Sequence, residues 1–307
     1  MTETMRDYSW LAADVLAFIR ITESHYPADA ASFTVAEQRV LYDRMCRAFD
    51  RPYPPDVTAV DETISGVPCR VYTPEAAKPD VSVIYFHGGG FVVGGLNSHD
   101  AICAELCAGA GARLIAVDYR LSPEHRHPAA FDDAMAVVAG VEGAKVLAGD
   151  SAGGNLAAAV CAHQTGIAGQ VLIYPGLGGG TDLPSYTRHA QAPMLTLADV
   201  EYYADIRFDD ASPPDRDDPT VAPLRATDFS QLPPSAIFAA ECDPLASDAV
   251  EYAARLAEAG VPVALTVEPG LVHGYLRARH MAAGAQASFV RITEALAAFV
   301  ASASARQ

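Results

Sequence analysis

With 50% hydrophobic and 19% charged residues over 307 positions, the chain can bury a real core, which excludes a disordered tail or a fibrous repeat. Length alone allows two domains or one large α/β domain with insertions. The 38 acidic against 21 basic residues leave a net charge of −17, which repels nucleic acid and anionic bilayer surfaces alike.

No apolar run approaches the roughly 18 residues of a membrane span. The first residues mix Glu3, Arg6, Asp7 and Asp14 among apolar positions and lack a basic stretch followed by an apolar one, so no signal peptide is read and a cytoplasmic location is expected. The six cysteines (Cys46, Cys69, Cys103, Cys107, Cys161 and Cys242) then read as reduced thiols rather than a disulfide framework. Cys103 and Cys107 lie four apart on an expected helix, but no histidine or second cysteine pair accompanies them at zinc-ligand spacing. Buried small side chains fit them better, and no metal is expected.

Residues 1 to about 50 read as helical, with Trp10, Leu11, Val15, Leu16 and Ile19 recurring on one face, and end at the proline cluster 51–55. Strand-like runs follow near 57–64, 69–73 and 81–86, the last, VSVIYF, being apolar enough to be buried on both faces. Helices near 98–110, 128–140 and 152–165 then alternate with strands at 113–119, 145–149 and 170–174. The rhythm breaks between about 176 and 234, a stretch with three successive glycines, a short helix around 198–206, the acidic turn 215–218 and many prolines. It resumes with strand 235–240, helix 246–259, strand 263–267 and a final helix from about 283 to 300. Such alternation predicts an α/β fold with a mainly parallel central sheet flanked by helices.

Ligands of parallel sheets sit where the strands deliver their carboxyl ends, so the loops after strands carry the chemistry. After strand 145–149 comes Gly149-Asp150-Ser151-Ala152-Gly153, a G-x-S-x-G pattern at a strand-to-helix turn that makes Ser151 the candidate nucleophile. After strand 81–86 comes His87-Gly88-Gly89-Gly90-Phe91. Its glycines leave backbone N–H groups accessible to a developing oxyanion, with Ala152 N–H as a further donor. The pattern matches neither phosphate-binding glycine motif. His87 is assigned to orienting the glycine loop, and Asp150 likewise to structural support of the site.

A serine nucleophile needs a base, and the base needs an orienting acid. In chain order Ser, acid, His, the candidates for base are His163, His189, His273 and His280. His163 falls on the helix after Ser151, His189 in the irregular stretch, and His280 on the segment after the loop. His273, in a glycine-flanked loop just past the last strand, is the expected base. Asp243, in the loop after strand 235–240, is the expected acid, with Glu241 and Asp248 as rivals.

The motifs HGGGFVVGG (87–95), VDYRLSPEHRHPAAFDDA (117–134), GDSAGGNLA (149–157), ECDPL (241–245) and VHGY (272–275) together resemble the hormone-sensitive lipase family of α/β-hydrolases, which includes bacterial carboxylesterases. The resemblance implies an α/β-hydrolase fold, Ser151, Asp243 and His273 as catalytic triad, and an oxyanion hole drawn from Gly88, Gly89, Gly90 and Ala152. It further implies hydrolysis of small-molecule, short-chain acyl esters through an acyl-enzyme, with no metal or organic cofactor, and it is compatible with a homodimer. It divides the chain into a cap from 1–50 and 180–225 and a catalytic domain from 51–179 and 226–307. The stretch after Asp243-Pro244-Leu245 departs from the family pattern, with Ala246-Ser247-Asp248 where an arginine and acidic residues are usual. Amide hydrolysis on the same residues, or a non-catalytic ligand receptor, are the rival readings. Glu105 and Arg120 acquire no role at this level.

Overall fold

The computed structural model describes residues 7–27, 30–76, 78–208 and 218–306. Glu3 and Arg6, and residues 215–217 of the acidic turn, lie outside them. The strands are β1 (Val57–Ile64), β2 (Val67–Pro74), β3 (Lys78–Phe86), β4 (Ala112–Val117), β5 (Ala144–Asp150), β6 (Ile167–Ile173), β7 (Ser235–Cys242) and β8 (Val263–Val272). They form one eight-stranded sheet in the order β1-β2-β4-β3-β5-β6-β7-β8. β3 through β8 run parallel, as the α/β alternation predicts, while β2 pairs antiparallel with both β1 and β4. Only two residues, Ser65 and Gly66, separate β1 from β2, a connection that can join only antiparallel neighbours.

The helices are α1 (Ala13–His25), α2 (Val35–Arg47), α3 (Asp100–Ala110), α4 (Ala129–Gly140), α5 (Ala152–His163), α6 (Pro184–Arg188), α7 (Leu197–Arg207), α8 (Ala246–Glu258) and α9 (Ala283–Ser304). Alternate residues of the central strands feed cores on opposite faces, because side chains along a strand alternate sides. Val83, Tyr85, Leu114 and Ala116 join the core with α3 and α9, and Ile84, Phe86, Ile115 and Val117 the one with α4, α5 and α8.

The N-terminal segment is two helices rather than one. Thr34 and Glu37 form a reciprocal cap that starts α2 afresh after Pro27. Leu11, Val15 and Ile19 are buried as expected, but Trp10 precedes α1 and is 55% exposed. α6 was not foreseen, being a single turn without room for an apolar period. It is tied to the start of α8 by Ser185 Oγ–H donating to the Pro244 carbonyl at 2.5 Å. By length and composition α9 is apolar enough to cross a bilayer, since alanine and valine surround its lone Arg291 and Glu294. Its Ile292, Leu296 and Val300 are instead buried against the sheet.

Glu105 and Arg120, without a role in the sequence, are structural anchors. Arg120 bonds the Asp133 carboxylate of α4 through Nε at 2.9 Å. Glu105 on α3 accepts from Arg279 at 2.5 Å and His280 at 2.8 Å, across more than 170 residues of chain. Arg279 is almost wholly buried, so Glu105→Ala leaves a buried cation without its counter-charge. That substitution is expected to cost about 3 kcal/mol of stability in urea denaturation, and a loss below about 1 kcal/mol would contradict the pairing.

Candidate active site

Ser151 occupies the point where β5 becomes α5, with φ 54° and ψ −116°. This backbone conformation is strained for a side-chain-bearing residue, and it is held by tight packing on either side. A Cβ on Gly153 would lie 1.9 Å from the Phe86 carbonyl oxygen, and one on Gly149 would lie 2.3 Å from that of Gly153. Only glycine permits so sharp a turn. It leaves Ser151 half-buried at the N-terminus of α5, whose partial positive charge favours an anion there.

His273 directly follows β8 and Asp243 directly follows β7, and the sheet brings both to Ser151. His273 Nε2 is 2.9 Å from Ser151 Oγ, and His273 Nδ1 is 2.6 Å from Asp243 Oδ2. Asp243 is fully buried, and its other oxygen accepts the Leu245 N–H at 2.9 Å. A carboxylate there accepts from Nδ1–H, which leaves Nε2 as the acceptor for the serine hydroxyl proton.

The rivals serve elsewhere. Glu241 accepts the Gly270 N–H at 2.8 Å. Asp248, buried and pushed up by that burial to about 6, accepts from Leu177 N–H and Gly179 N–H at 2.7 and 3.1 Å and so holds the loop after β6. His163 bonds the Ala159 carbonyl, His189 the Tyr8 hydroxyl, and His280 Glu105.

Asp150 is 2% exposed and gathers donors from four residues. Its Oδ1 accepts from the Tyr85 hydroxyl at 2.7 Å and Gly88 N–H at 2.8 Å, its Oδ2 accepts from the Tyr174 hydroxyl at 3.2 Å, and His99 Nε2 lies 3.3 Å away. Burial alone would raise this carboxyl, but the charge and hydrogen bond of His99, the Arg277 guanidinium and the Tyr85 hydroxyl outweigh it and hold it well below the usual range.

The expectation for Gly88 changes accordingly. Its N–H is spent on Asp150 and does not face a reacting group. Among the described residues nothing accepts from Gly89 N–H, Gly90 N–H or Ala152 N–H, while the Gly89 carbonyl takes the Val92 and Val93 N–H groups at 3.0 Å and curls the loop. His87 lies 4.3 Å from Tyr119, ring stacked on ring, and burial pulls it down to about 3. The neutral ring then donates from Nδ1 to the Gly88 carbonyl at 2.8 Å, and the Tyr119 hydroxyl donates to the His87 carbonyl at 2.6 Å.

Ser151 and His273 open into a cavity of about 1040 Å³ bounded by Tyr26 just past α1, Tyr42 of α2, and Leu197, Tyr203 and Arg207 of α7. α2 and α7 are joined there by Gln38 Nε2 donating to the Tyr202 hydroxyl at 2.7 Å. Arg39 ties α2 to the glycine loop through the Val92 carbonyl at 2.8 Å. Sequence reasoning missed Tyr85, His99 and Tyr174 around Asp150. Tyr85 carried a faint signal as the one large polar-tipped side chain in a strand otherwise apolar enough to be wholly buried.

Asp150→Asn replaces a fourfold acceptor with a group whose amide faces donors. It is expected to lower stability by about 2–3 kcal/mol at pH 7 in urea unfolding. A depressed carboxyl contributes stability above its unfolded value and loses it as pH falls. The gap between wild type and variant should therefore hold from pH 7 to 5 and shrink below about pH 4. A gap that widens with acid would contradict the charged Asp150.

The alpha/beta hydrolase fold model matches residues 83–277. The chain is 38% identical to an esterase, LipI, of Mycobacterium tuberculosis over 74% of this chain and 77% of the relative. It is 36% identical to an ethyl acetate hydrolase of Pseudomonas putida over 75% and 78% of the two chains. Among solved structures, it superposes with a TM-score of 0.83 and 30% identity on an ester hydrolase from the metagenome of Lake Arreo, complexed with a bipyridine phosphonate derivative, covering 94% of this chain and 98% of that one. Sheet order, the turn at Ser151 and these likenesses agree: the chain belongs to the α/β-hydrolase family.

Proposed function

We propose that this protein is a serine carboxylesterase acting on small-molecule, short-chain acyl esters through an acyl-enzyme. The observation that carries the reading is the continuous chain Asp243–His273–Ser151, at 2.6 and 2.9 Å, beside three backbone N–H groups that no described residue uses. His273 Nε2 takes the Oγ proton as Ser151 attacks the ester carbonyl carbon. The carbonyl oxygen becomes an oxyanion that accepts from the N–H groups of Gly89, Gly90 and Ala152. The intermediate collapses, the C–O bond to the alcohol breaks, and His273 returns the proton to the leaving oxygen. Water, deprotonated by His273, then attacks the acyl carbon and releases the acid and a protonated Ser151. No step calls on a cofactor.

Two features of the relatives and the cavity support the substrate class. Relatives named esterase and ethyl acetate hydrolase align over about three quarters of the chain. We read α1, α2 and the stretch 180–225 as a cap, whose Tyr203 ring sits so close to Gly90 that a Cβ there would lie 2.4 Å from it. The cap then limits what fits beside the oxyanion loop.

Ser151→Ala is expected to reduce 4-nitrophenyl butyrate turnover by at least about 10⁴-fold with an unchanged circular dichroism spectrum, whereas retained activity would contradict the assignment. Across a series of 4-nitrophenyl esters, kcat/KM should peak between acetyl and butyryl. A peak at decanoyl or beyond would contradict the short-chain reading.

A further inference from the structure

α7 ends on Arg207, one turn after Tyr203, so both side chains fall on the same helix face. Tyr203 packs on Gly90, and the Arg207 guanidinium lies over the next residue, 3.7 Å from the centre of the Phe91 ring. Arg207 is only 8% exposed, yet its guanidinium forms no hydrogen bond and no ion pair with any described residue and lies over the rings of Phe91 and Phe208, while its backbone carbonyl accepts the His127 N–H at 3.2 Å. Burial pulls it down to about 9, with Tyr119 and Asp218 opposing, so it remains a cation at neutral pH.

The other buried arginines are used differently. Arg279 is paired with Glu105, and Arg277 spends Nε on Cys46 Sγ and Nη2 on the Tyr42 hydroxyl. Toward the described residues, Arg207 alone among these three keeps all five N–H donors unspent, and it lines the same cavity as Ser151 and His273. A buried, unpaired guanidinium is costly unless something arrives to pair with it. The acids on that cavity wall do not serve. Asp150 and Asp248 are saturated with donors, Asp199 is held by the Thr196 N–H and hydroxyl, Asp218, off the wall but felt by Arg207, is held by those of Thr220, and Glu23, Asp182, Glu201 and Asp205 are exposed to solvent.

Building on the esterase reading, we propose that the cavity takes esters bearing a carboxylate remote from the scissile bond, with hemiesters of dicarboxylic acids as the simplest class, and that Arg207 receives that carboxylate. The planar guanidinium fork matches a carboxylate in two parallel hydrogen bonds. Phe91 follows Gly90 directly in the chain, so the cation stands close enough to the oxyanion loop for a spacer of a few carbons to join the two sites.

The test compares monoethyl glutarate with diethyl glutarate, which share spacer and leaving group and differ at the far end, a carboxylate in one and a neutral ethyl ester in the other. Arg207→Met should lower kcat/KM for the monoester by roughly tenfold to a hundredfold, the value of one charge-assisted hydrogen bond, and Arg207→Lys should recover part of it. The diester should change by less than about threefold, which also reports an intact fold. Equal loss on both esters would mean that Arg207 merely holds Phe91, and no loss on the monoester would equally overturn the proposal. Calorimetric titration of Ser151→Ala protein with monoethyl glutarate reads recognition without turnover. Binding that disappears when Arg207→Met is added supports the proposal, and absent binding overturns it. Binding without hydrolysis of either ester by the wild type would instead overturn the esterase reading and leave the carboxylate site supported.

Discussion

The Asp150 carboxylate is the constraint on which the rest of the site depends. β3 and β5 are adjacent and in register, with Phe86 opposite Gly149, so the loops that leave them emerge side by side. Asp150 is the last residue of β5 and holds Gly88, the second residue after β3, by its N–H. One buried charge therefore fixes the glycine loop relative to the residue that precedes Ser151. The Gly88 amide is spent on this anchor, while those of Gly89 and Gly90 find no acceptor among the described residues. The anchor is costly in itself, since a buried carboxylate is tolerated only when fully hydrogen-bonded, and Tyr85, Tyr174 and His99 complete its shell.

Around that anchor, the sheet supplies rigidity and its strand ends supply chemistry. Ser151, Asp243 and His273 each sit immediately beyond a parallel strand, so their separation is set by strand spacing and register rather than by loop conformation. The strained Ser151 backbone persists because Gly149 and Gly153 let neighbouring chain press against it from both sides. The N-terminal helices and α7 then close the space in front of these residues, joined to each other at Gln38 and Tyr202 and to the glycine loop through Arg39. Reactive groups and enclosing wall thus come from separate parts of the chain, and the wall can differ without disturbing the reactive groups.

Much of this was legible in the sequence because it rests on local rules. Small residues flanking Ser151 at a strand-to-helix turn, and a histidine and an aspartate just beyond later strands in the right chain order, are local signals. Three successive glycines are not equivalent in the structure, but which N–H turns toward Asp150 depends on peptide orientation that residue identity does not encode. Tyr85, His99 and Tyr174 escaped notice because they lie in β3, just before α3 and just after β6, and meet only at Asp150. Arg207 carries no signal in the sequence, because its burial depends on where α7 lies against Phe91 of the glycine loop. Glu105 and Arg279 are 174 residues apart, so their pairing is visible only in three dimensions.

In the proposed mechanism Ser151 is the acylated residue, and its oxyanion is held by Gly89, Gly90 and Ala152 while Gly88 stays on Asp150. A crystal structure of the protein inactivated with a 4-nitrophenyl alkylphosphonate tests it most directly. Phosphorus is expected on Ser151 Oγ, with the phosphoryl oxygen within about 3.1 Å of those three nitrogens and Gly88 N–H still on the Asp150 carboxylate. An adduct on another residue, or a phosphoryl oxygen held by Gly88 with Asp150 released, would contradict it.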